Sequence, residues 1–527
     1  MLPRQSVPVV LPSLLLLAAC SRGVDDGGFS PGGDSGSSQV DGTLDALADG
    51  GALDGHVLDV STEAAIPDGS TFTVPTDMRD RFGIYAWGFD TTSWPGSPDR
   101  LNWAASKVAG LGSRTIRVYL GPQDIYHVLP ASDGGAFDLA TAAASPAYAA
   151  LFGSTSFDTI LLTTYSAGDD ASNWTNGFDG AEAAAEQQQI ASLGTYLLTT
   201  YLNKTFIVLQ WEGDNAISSV ASNQTAWDGF TAWIQSRAAG IVQARAAAGN
   251  GASHLYSGLE FNLLRSKATG MPCDGATNKC VVSVVVPQVD VDYYSYSSWD
   301  SLLPSMNPSQ VATTLTADLT TALGWAKMRD PSVTPARFLV GEFGAPREQS
   351  DLGECAATQR AAGIIGAVTQ WGAARGIFWQ IIDNTPSGQP NDFVHGFGLY
   401  KAGGSASLAA GLFQTLFQTQ TPTPPVAASC PVINTGGVVS AADYKTTDID
   451  GGTTLAIFGQ GFTDGGDVVH ACEATQQWDM TGGPAFYTSS SQINATLPGV
   501  GPGQNALVFV TDGDGIDSNG QIIPILP

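Results

Sequence analysis

Through the middle of the chain, short apolar runs alternate with longer stretches whose apolar positions return every three or four residues. The short runs read as strands: Phe82 to Gly88, Thr115 to Leu120, Thr159 to Tyr165, Thr205 to Trp211, Tyr256 to Phe261, Val289 to Ser295, Phe338 to Phe343, and Gly376 to Ile381. The longer stretches read as amphipathic helices, the clearest being Glu182 to Tyr201, Trp227 to Ala248, Ala312 to Lys327 and Cys355 to Arg375. Strands that alternate with helices pair in parallel, so the pattern predicts a closed or doubly wound α/β sheet. A dinucleotide fold needs a Gly-rich turn after its first strand, whereas Tyr85-Ala86-Trp87-Gly88-Phe89 ends the first run in aromatics. The expectation is a (β/α)8 TIM barrel over residues 76–420.

The flanks differ from this pattern. Residues 20–75 are rich in Gly, Asp and Ser and poor in aromatics, with a loose Asp-Gly repeat (Val40-Asp41-Gly42, Ala48-Asp49-Gly50, Leu53-Asp54-Gly55). Such a segment buries too little apolar surface to fold and reads as a flexible acidic tether, the irregular spacing speaking against a calcium-binding repeat. Thr421-Pro422-Thr423-Pro424-Pro425 opens a stiff hinge over 421–429. Beyond it, β-patterned runs at Thr454 to Phe458 and Ala506 to Thr511, separated by Gly and Asp turns, predict a small all-β module over 430–527.

Charge narrows the partners. With 49 acidic against 22 basic residues the net charge is −27, which repels phosphate backbones and anionic head groups, so nucleic acid is excluded as a partner. No run after the N-terminus is long and apolar enough to span a bilayer. The N-terminus has Arg4, an apolar stretch through Leu14 to Leu17, and then Ala18-Ala19-Cys20. This resembles the lipobox of bacterial lipoproteins. The resemblance implies a signal peptide over 1–19, lipidation of Cys20, and a protein held in the cell envelope by lipid alone, at the outer membrane on its periplasmic or cell-surface face; an ordinary secretory signal is the other reading. In an exported chain Cys273 and Cys280 read as a disulfide closing a polar loop, and Cys430 with Cys472 as a second one in the C-terminal module, which leaves Cys355 without a partner. The five histidines show no ligand spacing with the cysteines, so neither a metal nor any other cofactor is expected.

Two runs carry the chemistry. Val208-Leu209-Gln210-Trp211-Glu212-Gly213-Asp214-Asn215 and Phe338-Leu339-Val340-Gly341-Glu342-Phe343-Gly344-Ala345 each deliver a glutamate at the end of an apolar strand, the fourth and the seventh in order. Two carboxylates at the C-terminal rim of a barrel suit glycoside hydrolysis. A third glutamate, Glu260 in Leu259-Glu260-Phe261-Asn262, also follows an apolar strand. No Gly-x-Ser-x-Gly elbow and no His-Glu-x-x-His motif offers a different chemistry.

With Arg117 in Thr115-Ile116-Arg117-Val118-Tyr119, Tyr294 or Tyr296 in the sixth run, and Trp379 in Ile377-Phe378-Trp379-Gln380, the barrel resembles the clan A retaining glycoside hydrolases, the cellulase and mannanase superfamily. The resemblance spans Phe82 to Gln418. It implies Glu342 as nucleophile, Glu212 as acid/base with Glu260 the alternative, Arg117 near the nucleophile, Tyr294 or Tyr296 approaching it, and Trp379 flooring the first sugar subsite. Arg117 is then expected to hold the nucleophile's pKa low while apolar surroundings raise that of Glu212. One departure stands out: Trp211 precedes Glu212 where the clan has asparagine, so Asn215 or Asn262 is expected to take the sugar 2-hydroxyl. Trp87, Trp94, Tyr119, Trp211, Trp299 and Trp379 are candidates to stack on sugar faces, with Trp87, Trp211 and Trp379 favoured by their place at strand ends.

The tail resembles an IPT/TIG domain, an immunoglobulin-like sandwich, through Leu455-Ala456-Ile457-Phe458-Gly459-Gln460-Gly461-Phe462, Gln492-Ile493-Asn494-Ala495-Thr496-Leu497-Pro498, and Asp514-Gly515 with Ser518-Asn519. The expectation as a whole is a monomeric, lipid-anchored hydrolase of a β-linked oligo- or polysaccharide by a retaining mechanism. A carbohydrate-binding surface lipoprotein on the same barrel without turnover is the alternative, and an adhesin or scaffold driven by the C-terminal module a third.

Overall fold

A computed structural model describes residues 72–421, apart from 88–98, 130–136, 167–171, 250–253, 303–307, 347–352, 384–395 and 402–403, together with eight strands between 432 and 524. Cys20, Trp94 and Cys430 lie outside the described residues, as do the signal, tether and hinge apart from 72–75 and Thr421.

Eight parallel strands close into a barrel in sequential order: β1 (Phe82–Tyr85), β2 (Thr115–Leu120), β3 (Thr159–Thr164), β4 (Thr205–Leu209), β5 (Leu255–Phe261), β6 (Tyr293–Ser297), β7 (Phe338–Phe343) and β8 (Arg375–Phe378). Closure runs through β1 and β8, where Phe82, Gly83 and Ile84 pair with Gly376, Ile377 and Phe378. Every residue of β2, β3 and β7 is buried, because one face fills the barrel and the other packs on helices. That is why these strands read as continuous apolar runs.

The four expected helices form at Gly180–Thr200, Gln224–Ala248, Pro308–Arg329 and Gly353–Trp371. The first starts where Asp179 and Glu182 make a reciprocal capping box, and the second where the Asn223 side chain accepts the Thr225 N–H. Between β5 and β6 the crossover has only a single helical turn, Val281–Val284, and a 3-10 turn, Val286–Gln288. The sixth strand was expected at Val289 to Ser295 and lies further on, at Tyr293–Ser297. Val289 and Val291 are buried but stay out of the ladder, since the Asp292 carboxylate anchors the strand start by accepting from the Ser257 N–H (2.7 Å) and Arg245 (2.6 Å).

The C-terminal strands form two four-stranded antiparallel sheets, ordered β13-β14-β10-β9 and β12-β11-β15-β16. The expected runs are present as β10 (Thr454–Gln460) and β15 (Asn505–Thr511), beside β9 (Val432–Ser440), β11 (Val468–Glu473), β12 (Gln476–Asp479), β13 (Phe486–Ser489), β14 (Gln492–Thr496) and β16 (Gln521–Pro524). The chain is thus a (β/α)8 barrel followed by a small all-β sandwich. Among the described residues no helix is long and apolar enough to cross a membrane.

Candidate active site

The C-terminal ends of β4, β5, β6 and β7 bring three glutamates together inside the barrel mouth. Beyond β4, Gln210 is fully buried and its amide spans to β5, donating to the Glu260 carbonyl (2.6 Å) and accepting the Glu260 N–H (3.3 Å). A side chain thereby extends the β4–β5 pairing past the last backbone partners, Val208 and Ser257. Two residues later Glu212 has φ +32°, a left-handed conformation uncommon for any residue but glycine. Such strain persists where the surroundings impose it, most often at functional sites.

Glu342 reaches the same space by a different device. Phe338 packs edge-on against Trp371 of the outer helix layer, so strict alternation would also send Glu342 outward. The β6–β7 register shifts between Tyr296 and Ser297, and the β7–β8 register between Val340 and Phe343. This bulge in β7 puts Phe343 on the outer face against Phe378 and turns Glu342 into the mouth. Ser298 fixes the turn, its N–H and hydroxyl both donating to the Glu342 carbonyl at 2.9 Å.

One hydroxyl joins the two carboxylates. Ser297 Oγ lies 2.6 Å from Glu212 Oε1 and 3.3 Å from Glu342 Oε2. The two nearest oxygens are therefore no more than about 6 Å apart, against about 5–5.5 Å between the carboxyl groups of retaining glycosidases. Glu212 also accepts from the Asn215 amide, and Glu342 from Trp299 Nε1 at 3.2 Å. Burial pushes the Glu212 carboxyl up to about 7; the Ser297 hydrogen bond opposes this, Glu260 adds to it, and Lys267 and Arg117 pull it down. Glu342 is also held well above the carboxylate range, first by burial and then by Glu212 and Glu260, with Arg117 and Trp299 opposing. The expected low pKa at Glu342 is corrected accordingly.

Arg117 explains the difference. It stands beside Glu342 as expected, at 3.6 Å, but its guanidinium is shared: it forms a two-pronged pair with Glu260, Nη1 to Oε2 at 2.7 Å and Nη2 to Oε1 at 2.8 Å. Glu260 further accepts from Ser295 Oγ (2.7 Å) and from the Glu212 N–H (3.2 Å). Both its oxygens are engaged and it has no exposure, so Glu260 offers no free carboxyl in this arrangement. Gly341 serves the same pair: a Cβ there would lie 2.1 Å from Glu260 Oε2 and 2.0 Å from Ser295 Oγ.

The sixth-strand tyrosines do not approach either carboxylate. Tyr296 stacks on Phe261 and donates to Asp300, and Tyr294 packs by Phe338 and Arg337. Alternation along β6 gives the inner face to Ser295 and Ser297 instead. Those serines, with Gln210 and Asp214, are the site residues that sequence reasoning missed. The period-two Tyr/Ser pattern of β6 was their signal, but it does not say which face turns inward.

The remaining candidates line the rim. Trp379 meets Trp299 and Phe397 edge-on, at 5.6 and 5.1 Å between ring centres, and its peptide bond to Gln380 is cis. Trp87 packs on Tyr85 and Tyr119. Trp211 is half-buried, its N–H donating to the Tyr165 hydroxyl and its carbonyl accepting from it. Asn215 links Glu212 to Lys267, whose Nζ lies 2.5 Å from its Oδ1. Asn262 is buried with its Oδ1 lacking a hydrogen-bond partner among the described residues.

A carboxylate and a disulfide tie these loops together. Asp214 accepts the N–H groups of Asn262 (2.9 Å), Leu263 (3.1 Å) and Val281 (2.7 Å). Cys273 and Cys280 form the expected disulfide just before Val281. Among the described residues no group of three or more His, Cys, Asp or Glu side chains gathers as a metal site.

No family model matches the sequence, and no curated protein does either. Among solved structures the chain is similar to a GH5_18 protein from Streptomyces cattleya crystallised with Manβ1-4GlcNAc, at 15% identity over 68% of this chain and 85% of that one, with a TM-score of 0.44. It is similar to an exo-β-1,4-mannosidase from an Opitutaceae bacterium at 14% identity, over 65% of this chain and 59% of that one, TM-score 0.42. A β-glucuronidase from Bacteroides uniformis matches at 11% identity, over 86% of this chain but only 46% of that one, TM-score 0.39.

Proposed function

We propose that this chain hydrolyses a β-linked glycan with retention of configuration, Glu342 acting as nucleophile and Glu212 as acid/base. The observation that carries the reading is the pair of buried carboxyls at the ends of the fourth and seventh strands, spanned by one serine hydroxyl and bordered by Trp299 and Trp379. In the first step the Glu342 anion attacks the anomeric carbon while Glu212 gives its proton to the leaving glycosidic oxygen. In the second, Glu212 takes a proton from water, which attacks the same carbon and releases Glu342. Burial suits Glu212 to the acid role, because it keeps a carboxyl protonated near neutral pH. The Arg117 cation and the Trp299 N–H favour the anion on Glu342.

Substrate contacts follow from the rim. Trp379 is assigned as the floor of the first sugar subsite, with Trp87 and Trp211 beside it, and the unpartnered Asn262 amide oxygen suits it to receive a sugar hydroxyl. Trp211 in place of the clan's asparagine favours a second reading, a sugar-binding barrel without turnover. We assign Cys20 as the lipid anchor in the cell envelope and residues 430–527 as an IPT/TIG-like module, on the motifs given above. The chain is taken to act as a monomer.

The deciding experiment follows turnover of aryl glycosides and polysaccharides by the purified chain. Glu342→Gln should abolish turnover and leave sugar binding intact. Glu212→Ala should still cleave an activated aryl glycoside to the covalent intermediate, with azide restoring its breakdown. Full activity in the Glu342 variant overturns the mechanism, and binding without turnover in the unmodified chain establishes the second reading.

A further inference from the structure

Ser297 stands on the sixth strand between the two carboxyls, and it is fully buried. Its hydroxyl has one proton to donate yet lies within hydrogen-bonding distance of both Glu212 and Glu342. With both carboxyls ionised the single Oγ–H can serve only one of them; once one carboxyl is protonated it donates to Oγ while Oγ–H donates to the other, and that second bond is strongest when the other is an anion. The geometry thus selects the singly protonated pair. The charges around it agree: Arg117 from β2 is already neutralised by Glu260 from β5, the Tyr85 ring of β1 covers the Arg117 guanidinium, and the next cation, Lys267, is exposed and reaches Glu212 only through Asn215. Two anions side by side would leave this buried group with net negative charge.

We propose that Ser297 is a positioning residue that relays a proton between the two carboxyls. The proton on Glu342 Oε2 passes to Ser297 Oγ as the serine's own proton passes to Glu212 Oε1; one O–H bond breaks and one forms at each step, and the negative charge moves from Glu212 to Glu342. The relay thereby charges the nucleophile and loads the acid in one movement, without solvent entering the site. This rests on the assignment of Glu342 and Glu212 as nucleophile and acid, and it explains how a buried Glu342 becomes ionised at the moment it is needed.

The test needs no substrate. With glutamate carboxyls carbon-13 labelled in the full chain, and the two signals assigned through Glu212→Gln and Glu342→Gln, NMR titration should show two coupled steps that are well separated in the unmodified protein. Ser297→Ala removes the group that favours the singly protonated pair, so the two steps should draw together by about one pH unit. Ser297→Thr keeps the hydroxyl and should keep the separation. Should the alanine variant fail to fold, Ser297→Cys, close in shape but a weak donor, should show the same narrowing. An unchanged separation in a folded Ala or Cys variant overturns the relay, whatever the chain does to glycans. Normal titration with no turnover on any glycan would instead sink the proposed reaction and leave the bridge standing.

Discussion

At the scale of single residues, the site is governed by how three carboxyls share too few charges. Arg117 satisfies Glu260 with both prongs, so Glu212 and Glu342 are left to settle their own protonation in a buried space. A carboxyl raised in the folded chain binds its proton more tightly there than in the unfolded one. The stability that Glu212 contributes is therefore whole below its ordinary value of 4.5 and is lost as pH rises through about 7. Glu212→Gln, neutral at every pH, should remove that loss. The variant is expected to exceed the unmodified chain in stability at about pH 8 by a few kcal/mol and to converge with it at about pH 5. Urea unfolding at both pH values checks this, and an equal difference at the two would contradict it.

At the scale of elements, irregularity places the chemistry. The β7 bulge turns Glu342 inward, the left-handed Glu212 follows β4, and the Gln210 amide extends the pairing to β5. The β5–β6 connection, lacking a full crossover helix, is held by the Cys273–Cys280 disulfide and by the three N–H groups on Asp214. Replacing both cysteines with serine should lower stability by about 2–3 kcal/mol, the value for a short closed loop. Because Val281 follows Cys280 directly, the amides of Asn262, Leu263 and Val281 should also lose hydrogen-exchange protection. Unchanged protection in the double variant would show that the disulfide does not hold this wall.

At the scale of the whole molecule, the barrel supplies a rigid frame and the charge sets its surroundings. A net charge of −27 opposes electrostatic adsorption to anionic lipid. If Cys20 carries a lipid anchor, Cys20→Ser expressed in a bacterial host should move the protein from the detergent phase to the aqueous phase in a cloud-point partition. Equal partition of the two forms, or a mature N-terminus without acyl chains by mass spectrometry, would reject the lipoprotein reading.

Sequence by itself determined the architecture. Eight apolar runs separated by three- and four-residue periodicity became the eight barrel strands, and Glu212, Glu260 and Glu342 lie at the C-terminal rim because each stands at or just beyond the end of such a run, although only the β7 bulge turns Glu342 inward. The short Cys273 to Cys280 spacing likewise announced its disulfide. Local pattern suffices for these, since burial on both sheet faces and ring closure over a short loop depend on neighbours in the chain. Tertiary structure alone decided that Arg117 is shared with Glu260, that Ser295 and Ser297 rather than Tyr294 and Tyr296 face the mouth, and that Gly341 makes room for Glu260. The physical reason is register: a shift of one residue exchanges the two faces of a strand, and the contacts that set it come from strands tens to hundreds of residues away.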